Sequence, residues 1–360
     1  MQAIIDQFSA TLCAATASKT PLRIRGGGSK DFYGNAVTAS AEILDTTAYH
    51  GIVDYDPTEL VITARAGTRL TEIADALAER GQMLAFEAPS FAATATLGGC
   101  VAAGLSGPRR AAVGAVRDFV LGARILDGRG QDLRFGGQVM KNVAGYDVSR
   151  LMVGALGTLG VLLEVSLKVL PVPADEFTLR LEMSPEQAIL TMNAWAGKPW
   201  PISATCYHAG VLHTRLSGAV SAVNAAQAAL GGERIFGDAS TAYWRAVREQ
   251  TQAFFQREQN LSLWRLSLPS TTPLLVLAGD SLLEWNGALR WLKTAEAAAT
   301  VRGTVQAAGG HATLFRAKDE GIVADAFHPL APALLQLHRR LKQKFDPAGI
   351  LNPGRMYAEF

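Results

Sequence analysis

Three glycine clusters, set far apart, constrain this chain more than any other feature of its sequence. Arg25-Gly26-Gly27-Gly28-Ser29-Lys30 runs directly out of the β-rich segment Pro21-Leu22-Arg23-Ile24-Arg25. Thr96-Leu97-Gly98-Gly99 lies well downstream, and Gly154, Gly157 and Gly160 close the run 141–160, which reads as a polar turn, an apolar helical stretch and then these glycines. Glycine lacks a Cβ and tolerates positive φ, so successive backbone amides can converge on an anion at close range. Any single cluster also reads as an ordinary tight turn. Three together, with Ser29, Lys30 and Thr96 beside them, point to one long anionic ligand gripped by several separate turns. Two familiar loops are excluded. The dinucleotide fingerprint G-x-G-x-x-G fails because Asp31 stands where the third glycine belongs, and neither Lys30 nor Lys141 has the surroundings of G-x-x-x-x-G-K-[ST].

Composition narrows the class further. At 360 residues the chain exceeds one typical domain, so two are expected. A net charge of +2, with 18% charged residues, lacks the basic excess of a nucleic-acid protein. Hydrophobic residues reach 49%, yet no uninterrupted apolar run attains the roughly 18 residues a spanning helix needs. Cys13, Cys100 and Cys206 are too dispersed to form a metal or redox pair, and their odd number fits a reducing compartment. The N-terminus has no basic first region, and Ile4, Ile5, Phe8 and Leu12 recur at helical spacing. An amphipathic first helix and a cytoplasmic location are expected.

Further elements follow from pattern. Segments 41–46 and 60–64 are β-rich, and 68–80 reads as a helix capped by Thr68 and stopped by Gly81. Asp127-Gly128-Arg129-Gly130 marks a hairpin turn. Val161, Leu163, Val165, Leu167 and Val169 alternate along a strand that Pro171 and Pro173 end, and a domain boundary is placed there. All six tryptophans lie beyond it, in an α+β pattern. Strands are expected at 206–216 and 261–268, and helices at 239–257, 285–300 and 333–345.

Residues 20–171 resemble the FAD-binding domain of the vanillyl-alcohol oxidase type, also called the p-cresol methylhydroxylase (PCMH) type. Its first diphosphate loop is similar to Arg25-Gly26-Gly27-Gly28-Ser29-Lys30, and its second to Ala95-Thr96-Leu97-Gly98-Gly99-Cys100-Val101-Ala102-Ala103-Gly104. The blocks GAVRDFVLG at 114–122 and KNVAGYD through GTLG follow in the family's order, and Asp346-Pro347 with Asn352-Pro353-Gly354 resembles its tail. Within the family, the stretch 51–60, Gly107-Pro108-Arg109-Arg110 and the ending Asn352-Pro353-Gly354-Arg355-Met356-Tyr357 look like D-2-hydroxyacid dehydrogenases, and among them the smaller FAD-binding subunits of glycolate-oxidising complexes.

This resemblance implies an α+β fold: a two-subdomain PCMH-type FAD-binding domain over 1–171, an α+β cap over 172–330, and a C-terminal helix and tail, 331–360, returning to the FAD domain. It implies FAD held noncovalently, with Gly26, Gly27, Gly28, Ser29, Lys30, Pro89, Thr96, Leu97, Gly98, Gly99, Ala103, Gly104, Gly114, Arg117, Asn142, Gly157, Gly160, Val161 and Asn352 at the cofactor site. It further implies a part in oxidising glycolate or a similar short 2-hydroxy acid to the 2-oxo acid. The partners would be a larger FAD-binding catalytic subunit and an iron–sulfur subunit, with peripheral membrane contact through the complex.

Departures from the family pattern matter. Cys100 and Gly104 stand where family members often carry Asn, and His50 is the only histidine before residue 200 available for covalent flavin attachment, yet it lies outside the glycine loops. The cap histidine pair H-G-x-G-x-x-H of relatives that oxidise 2-hydroxy acids by themselves is missing, and His208 and His213, five apart on one expected strand, would face opposite ways. No metal site follows. The alternative is therefore a scaffold or electron-relay subunit whose flavin never meets substrate. His311, after Gly309-Gly310, reads either as a base near the flavin or as a satisfied histidine on a cap strand. Lys141 either faces the flavin ring or stays in solvent while Asp147 caps the next helix. No catalytic residue is assigned.

Overall fold

The computed structural model describes residues 1–37, 40–137, 147–318 and 325–360. They form two compact units: Met1–Leu105, Ala115–Pro171 and Ile322–Phe360 make the first, and Ser106–Gly114 with Val172–Gly321 the second. Two stretches depart from the expected division. Residues 106–114 belong to the second unit, where Trp285 Nε1 donates to Gly107 O at 3.0 Å and Arg109 pairs with Glu176 at 2.6 Å. The expected cap also ends early, because Ala326 N donates to Asn35 Oδ1 at 2.7 Å within the first unit.

In the first unit the helix Gln2–Ser18 buries Ile5, Phe8, Leu12 and Ala15 against Leu22, Leu126, Leu163 and Leu351. The parallel pair Leu22–Arg25 and Glu42–Asp45 leads into the first glycine cluster. Among the described residues, five antiparallel strands form a sheet in the order Ile52–Asp56, Val61–Arg65, Val161–Lys168, Val120–Leu126, Asp132–Gly136. Val161, Leu163, Val165 and Leu167 are all fully buried at period two, as the alternation requires. The Asp127 hairpin is also present: the Asp127 carboxylate accepts from Arg129 N and Gln131 N at 2.8 and 2.9 Å, which sets the turn.

Two local expectations need correcting here. The helix Leu70–Ala78 is preceded by Arg69, not capped by Thr68, whose hydroxyl instead accepts from Gly51 N at 2.9 Å. The expected helix after residue 147 is a short 3₁₀ segment, Val148–Met152, with the Asp147 carboxylate engaged by the Ser149 and Arg150 side chains.

The second unit carries, among the described residues, an eight-stranded antiparallel sheet with the helices Pro185–Ala196, Val220–Leu230, Gly237–Arg248 and Ala298–Ala307. The helix expected at 285–300 is instead a 3₁₀ turn, Trp285–Gly287, followed by the strand Leu289–Thr294, whose six residues are all buried. A strand covered on both faces loses the period-two signal, so periodicity cannot tell it from a helix. The strand expected at 206–216 is a hairpin, Ile202–His208 and Val211–Gly218, turning at Ala209 and Gly210, both at positive φ. The helix expected at 239–257 stops at Arg248. Trp244, Trp264, Trp285 and Trp291 are core residues.

The C-terminal helix Pro332–Phe345 ends in a buried knot. Lys342 Nζ donates to Asp346 Oδ2 at 2.7 Å, to Thr158 O at 2.9 Å and to Leu351 O at 2.7 Å, while Asp346 accepts from Ile350 N and Leu351 N at 3.1 and 2.7 Å. The two side chains are 7% and 0% exposed. Leu22 N then donates to Ile350 O at 2.7 Å, so the tail lies beside the first strand.

Asp346→Ala strands the Lys342 charge and is expected to lower stability by roughly 3–5 kcal/mol at neutral pH. Burial already holds the Lys342 ammonium below its ordinary 10.5 against the pull of Asp346. Removing Asp346 lowers it further, so the unfolded chain binds more protons and stability rises with pH towards 10.5. Urea unfolding at neutral and alkaline pH checks both the loss and its partial recovery.

Candidate functional site

The first glycine loop begins where Arg25 O accepts from Thr46 N at 2.9 Å, which ends the parallel pair. Gly27 then passes so close to the neighbouring chain that a Cβ there would overlap the Thr94 carbonyl oxygen, while Thr94 Oγ1 donates to Gly27 O at 2.7 Å. The second loop ends at the helix Leu97–Ala103, capped by Thr96 Oγ1, which accepts from Gly99 N at 3.3 Å. Gly98 N donates to Ala66 O at 2.8 Å, which packs this loop on the strand side. At the third cluster Gly157 has φ +73° and presses against the Asn352 side chain. Asn352 is itself buried: Oδ1 accepts from Ile24 N at 2.8 Å and Nδ2 donates to Leu156 O at 2.6 Å.

These pieces surround one cavity of about 110 Å³, continuous with solvent. Of the residues expected at a cofactor site, Gly26, Gly27, Gly28, Ser29, Lys30, Thr96, Gly98, Gly99, Ala103, Gly157, Gly160 and Asn352 line it. Leu97 and Val161 are buried in the core, and Gly104 ends the helix Leu97–Ala103 at φ +63° against Gly154. Pro89 is buried and Arg117 exposed, and neither is on the cavity wall. Gly114 falls in the second unit. Asn142, with Lys141, Gly145 and Tyr146, lies outside the described residues.

The wall also includes residues the sequence reading did not single out as cofactor contacts. Arg23, Arg25 and Arg355 join Lys30 there, four cations against the single carboxylate of Asp31. Arg23 and Arg25 share that carboxylate at 2.9 and 2.8 Å, but all three side chains are a third or more exposed, so these pairs hold little energy. Thr46 and Ala66 arrive from elements remote from the glycine clusters in sequence, and only the fold reveals them, while Ala102 and Leu162 lie beside residues already expected at the site. Ile24, Val37, Leu156 and Leu162 supply apolar surface beside the polar loop.

The amides of Gly26, Gly27, Gly28 and Ser29 donate to no acceptor among the described residues. Four adjacent backbone donors beside an excess of cations fit a phosphate-bearing ligand. Cys100, behind this wall, is fully buried, and burial pushes its thiol up to about 11, so it is protonated and unreactive at neutral pH. His50 is exposed and off the wall.

In the second unit His208 and His213 lie on the two strands of the hairpin rather than on one. His208 contacts Asp280 at 3.0 Å, and His213 stacks on Tyr243 with ring centroids 4.1 Å apart. Burial, reinforced by Arg180, pushes His213 down to about 4. Among the described residues no cluster of His, Cys, Asp and Glu is fit to hold a metal ion. His311 opens the strand His311–Arg316 at an exposed position.

Comparison with known proteins adds to this geometry. Residues 4–136 match the family model of the FAD binding domain, and residues 327–356 that of the C-terminal domain of FAD linked oxidases. The chain is 50% identical over 358 residues to the glycolate oxidase subunit GlcE of Escherichia coli (strain K12), covering 99% of this chain and 97% of that protein. It is 30% identical to the glycolate oxidase subunit GlcD of Bacillus subtilis (strain 168), over 48% of this chain and 37% of that one. A D-lactate dehydrogenase of Archaeoglobus fulgidus is 31% identical, over 49% and 39%. Two structures of alkyldihydroxyacetonephosphate synthase superpose with TM-scores of 0.66 and 0.67, each over 96% of this chain and 74% of the other, at 14% identity, which speaks for the fold alone.

Gly27→Ala forces the first loop away from Thr94 and is expected to weaken FAD binding roughly tenfold or more, the consequence of losing about 1.4 kcal/mol. Quenching of flavin fluorescence on titration into apoprotein measures it.

Proposed function

The chain belongs to the FAD-linked oxidase family, and from that premise we propose that it is the FAD-holding subunit of a complex that oxidises glycolate to glyoxylate and passes the electrons to an iron–sulfur partner. It is an FAD-dependent oxidoreductase of the class acting on 2-hydroxy acids. Identity of 50% along nearly its whole length to a protein named as a glycolate oxidase subunit supports the narrower reading. The observation that carries it is the cavity of the first unit, with its four unengaged amides and its cationic excess.

When bound, FAD supplies the two-electron acceptor that oxidation of a 2-hydroxy acid requires. The chain's residues would serve it as follows. The amides of Gly26, Gly27, Gly28 and Ser29 would bind the diphosphate, with Lys30, Arg23 and Arg25 offsetting its charge. Gly98 and Gly99, presented by the Thr96 cap, let the second loop approach the same group. Gly157 and Gly160, backed by Val161 and pinned by Asn352, form the opposite wall, with Leu156 and Leu162 excluding water from it. Among the described residues no histidine lines this wall, which favours noncovalent attachment. The partners in this reading are a larger FAD-binding catalytic subunit and the iron–sulfur subunit. The dispersed cysteines of this chain support handing electrons to such a partner. Location in the cytoplasm, with peripheral membrane contact through the complex, belongs to the same proposal; among the described residues no helix is long and apolar enough to cross a membrane.

One observation favours a second reading, in which the flavin of this chain relays electrons without meeting glycolate. The H-G-x-G-x-x-H pair is missing from the sequence, and His208 and His213 are engaged with Asp280 and the Tyr243 ring. Anaerobic addition of glycolate separates the two readings. Bleaching of the flavin in the isolated FAD-loaded chain is the outcome expected if it oxidises substrate itself. Bleaching only after the partner subunits are added supports the relay, and a flavin that stays oxidised in both contradicts either role.

A further inference from the structure

Arg355, three residues beyond Asn352, directs its guanidinium entirely at main-chain carbonyls of the segment that follows the glycine loop. Nη1 donates to Asn35 O at 2.8 Å, and Nη2 to Asp31 O at 3.0 Å and Lys30 O at 3.3 Å. Asn35 answers from its side: its amide N donates to Arg355 O at 3.0 Å and its Nδ2 to Gly354 O at 3.0 Å. Asn352 holds the strand before the loop, its N donating to Leu22 O at 2.9 Å and its Oδ1 accepting from Ile24 N at 2.8 Å. The tail therefore grips the loop on both sides, and the four unengaged amides of Gly26–Ser29 lie between the grips.

We propose that Arg355 is a positioning residue for FAD: by holding the Lys30, Asp31 and Asn35 carbonyls it preorganises the amide loop for the diphosphate, so that docking of the tail and binding of FAD are coupled. The inference rests on the reading that this cavity is the FAD site. Arg355 is 8% exposed, and a buried guanidinium with three carbonyl acceptors has little freedom to rearrange. Without it Lys30 O keeps its bond from Tyr33 N at 3.0 Å, but Asp31 O loses its donor and is free to turn towards the cavity, presenting an acceptor where a diphosphate needs donors. A loop that must be ordered during binding loses affinity by the free energy of ordering it. Coupling is reciprocal, so FAD must in turn stabilise the tail.

The test uses the full-length chain, with Gly27→Ala as reference. Arg355→Gln is expected to weaken FAD binding roughly 10- to 100-fold, the usual effect of removing a group that orients a site's own ligating atoms. In Arg355→Ala, guanidinium ion added well below denaturing concentrations is expected to restore affinity, a rescue that a general loss of stability would not show. In the wild type, FAD is expected to slow amide exchange both at 30–35 and at 350–356. Arg355→Gln binding FAD as tightly as the wild type would overturn the proposal, and so would exchange at 350–356 indifferent to FAD. The exchange experiment needs no variant, so a misfolded Arg355→Gln leaves the proposal decidable. If Gly27→Ala also keeps full affinity, the cavity itself is misassigned; if Gly27→Ala loses FAD and Arg355→Gln does not, only the role of Arg355 fails.

Discussion

The ion pair between Lys342 and Asp346 is the contact on which the cofactor cavity depends. Burying two charges is unfavourable unless every polar atom finds a partner, and here the ammonium meets three acceptors while the carboxylate takes two further backbone amides. A pair satisfied in this way mainly specifies geometry. It turns the chain at the end of the helix Pro332–Phe345 and sends residues 350–352 alongside the strand Leu22–Arg25. Asn352 and Arg355 reach their partners because of that turn. A cavity in a fold assembled from the first and last parts of the chain is thus closed by a tail whose path one buried pair defines.

Parts of this arrangement were legible in the sequence because their causes are local. Glycine clusters announce close backbone approach, and Gly27 and Gly157 justify that at a neighbouring carbonyl and at the Asn352 side chain. The alternation from Val161 to Leu167 reports a central strand directly, and Asp127 with its glycines reports a hairpin. Other parts were hidden by physics that acts at a distance. Ala66 and Thr46 line the cavity only because strands pair, and no local pattern marks them. Arg355 stood within a recognisable ending, yet its partners Lys30, Asp31 and Asn35 lie at the other end of the sequence. The buried strand Leu289–Thr294 was mistaken for helix because both of its faces are covered, and the turn at Ala209 was missed because alanine rarely adopts positive φ.

Electrostatics and burial divide the labour within the chain. The first unit offers unengaged donors and an excess of positive charge, which suits a ligand carrying phosphates. In the second unit His213 is neutral down to about pH 4 and stacked on Tyr243, and Cys206 is a buried thiol that burial holds far above its usual range. Residues so engaged make poor acid–base catalysts near neutrality. Holding the flavin is better supported by this chain's own residues than performing the oxidation with it.

The central claim is that backbone amides and not a covalent bond hold FAD in the first unit. Acid precipitation of the purified chain, followed by measurement of flavin in the supernatant and in the pellet, tests it most directly. The account requires one equivalent of intact FAD per chain, all of it in the supernatant. Flavin that stays with the precipitated polypeptide, or a colourless chain that takes up no FAD when it is offered, would contradict it.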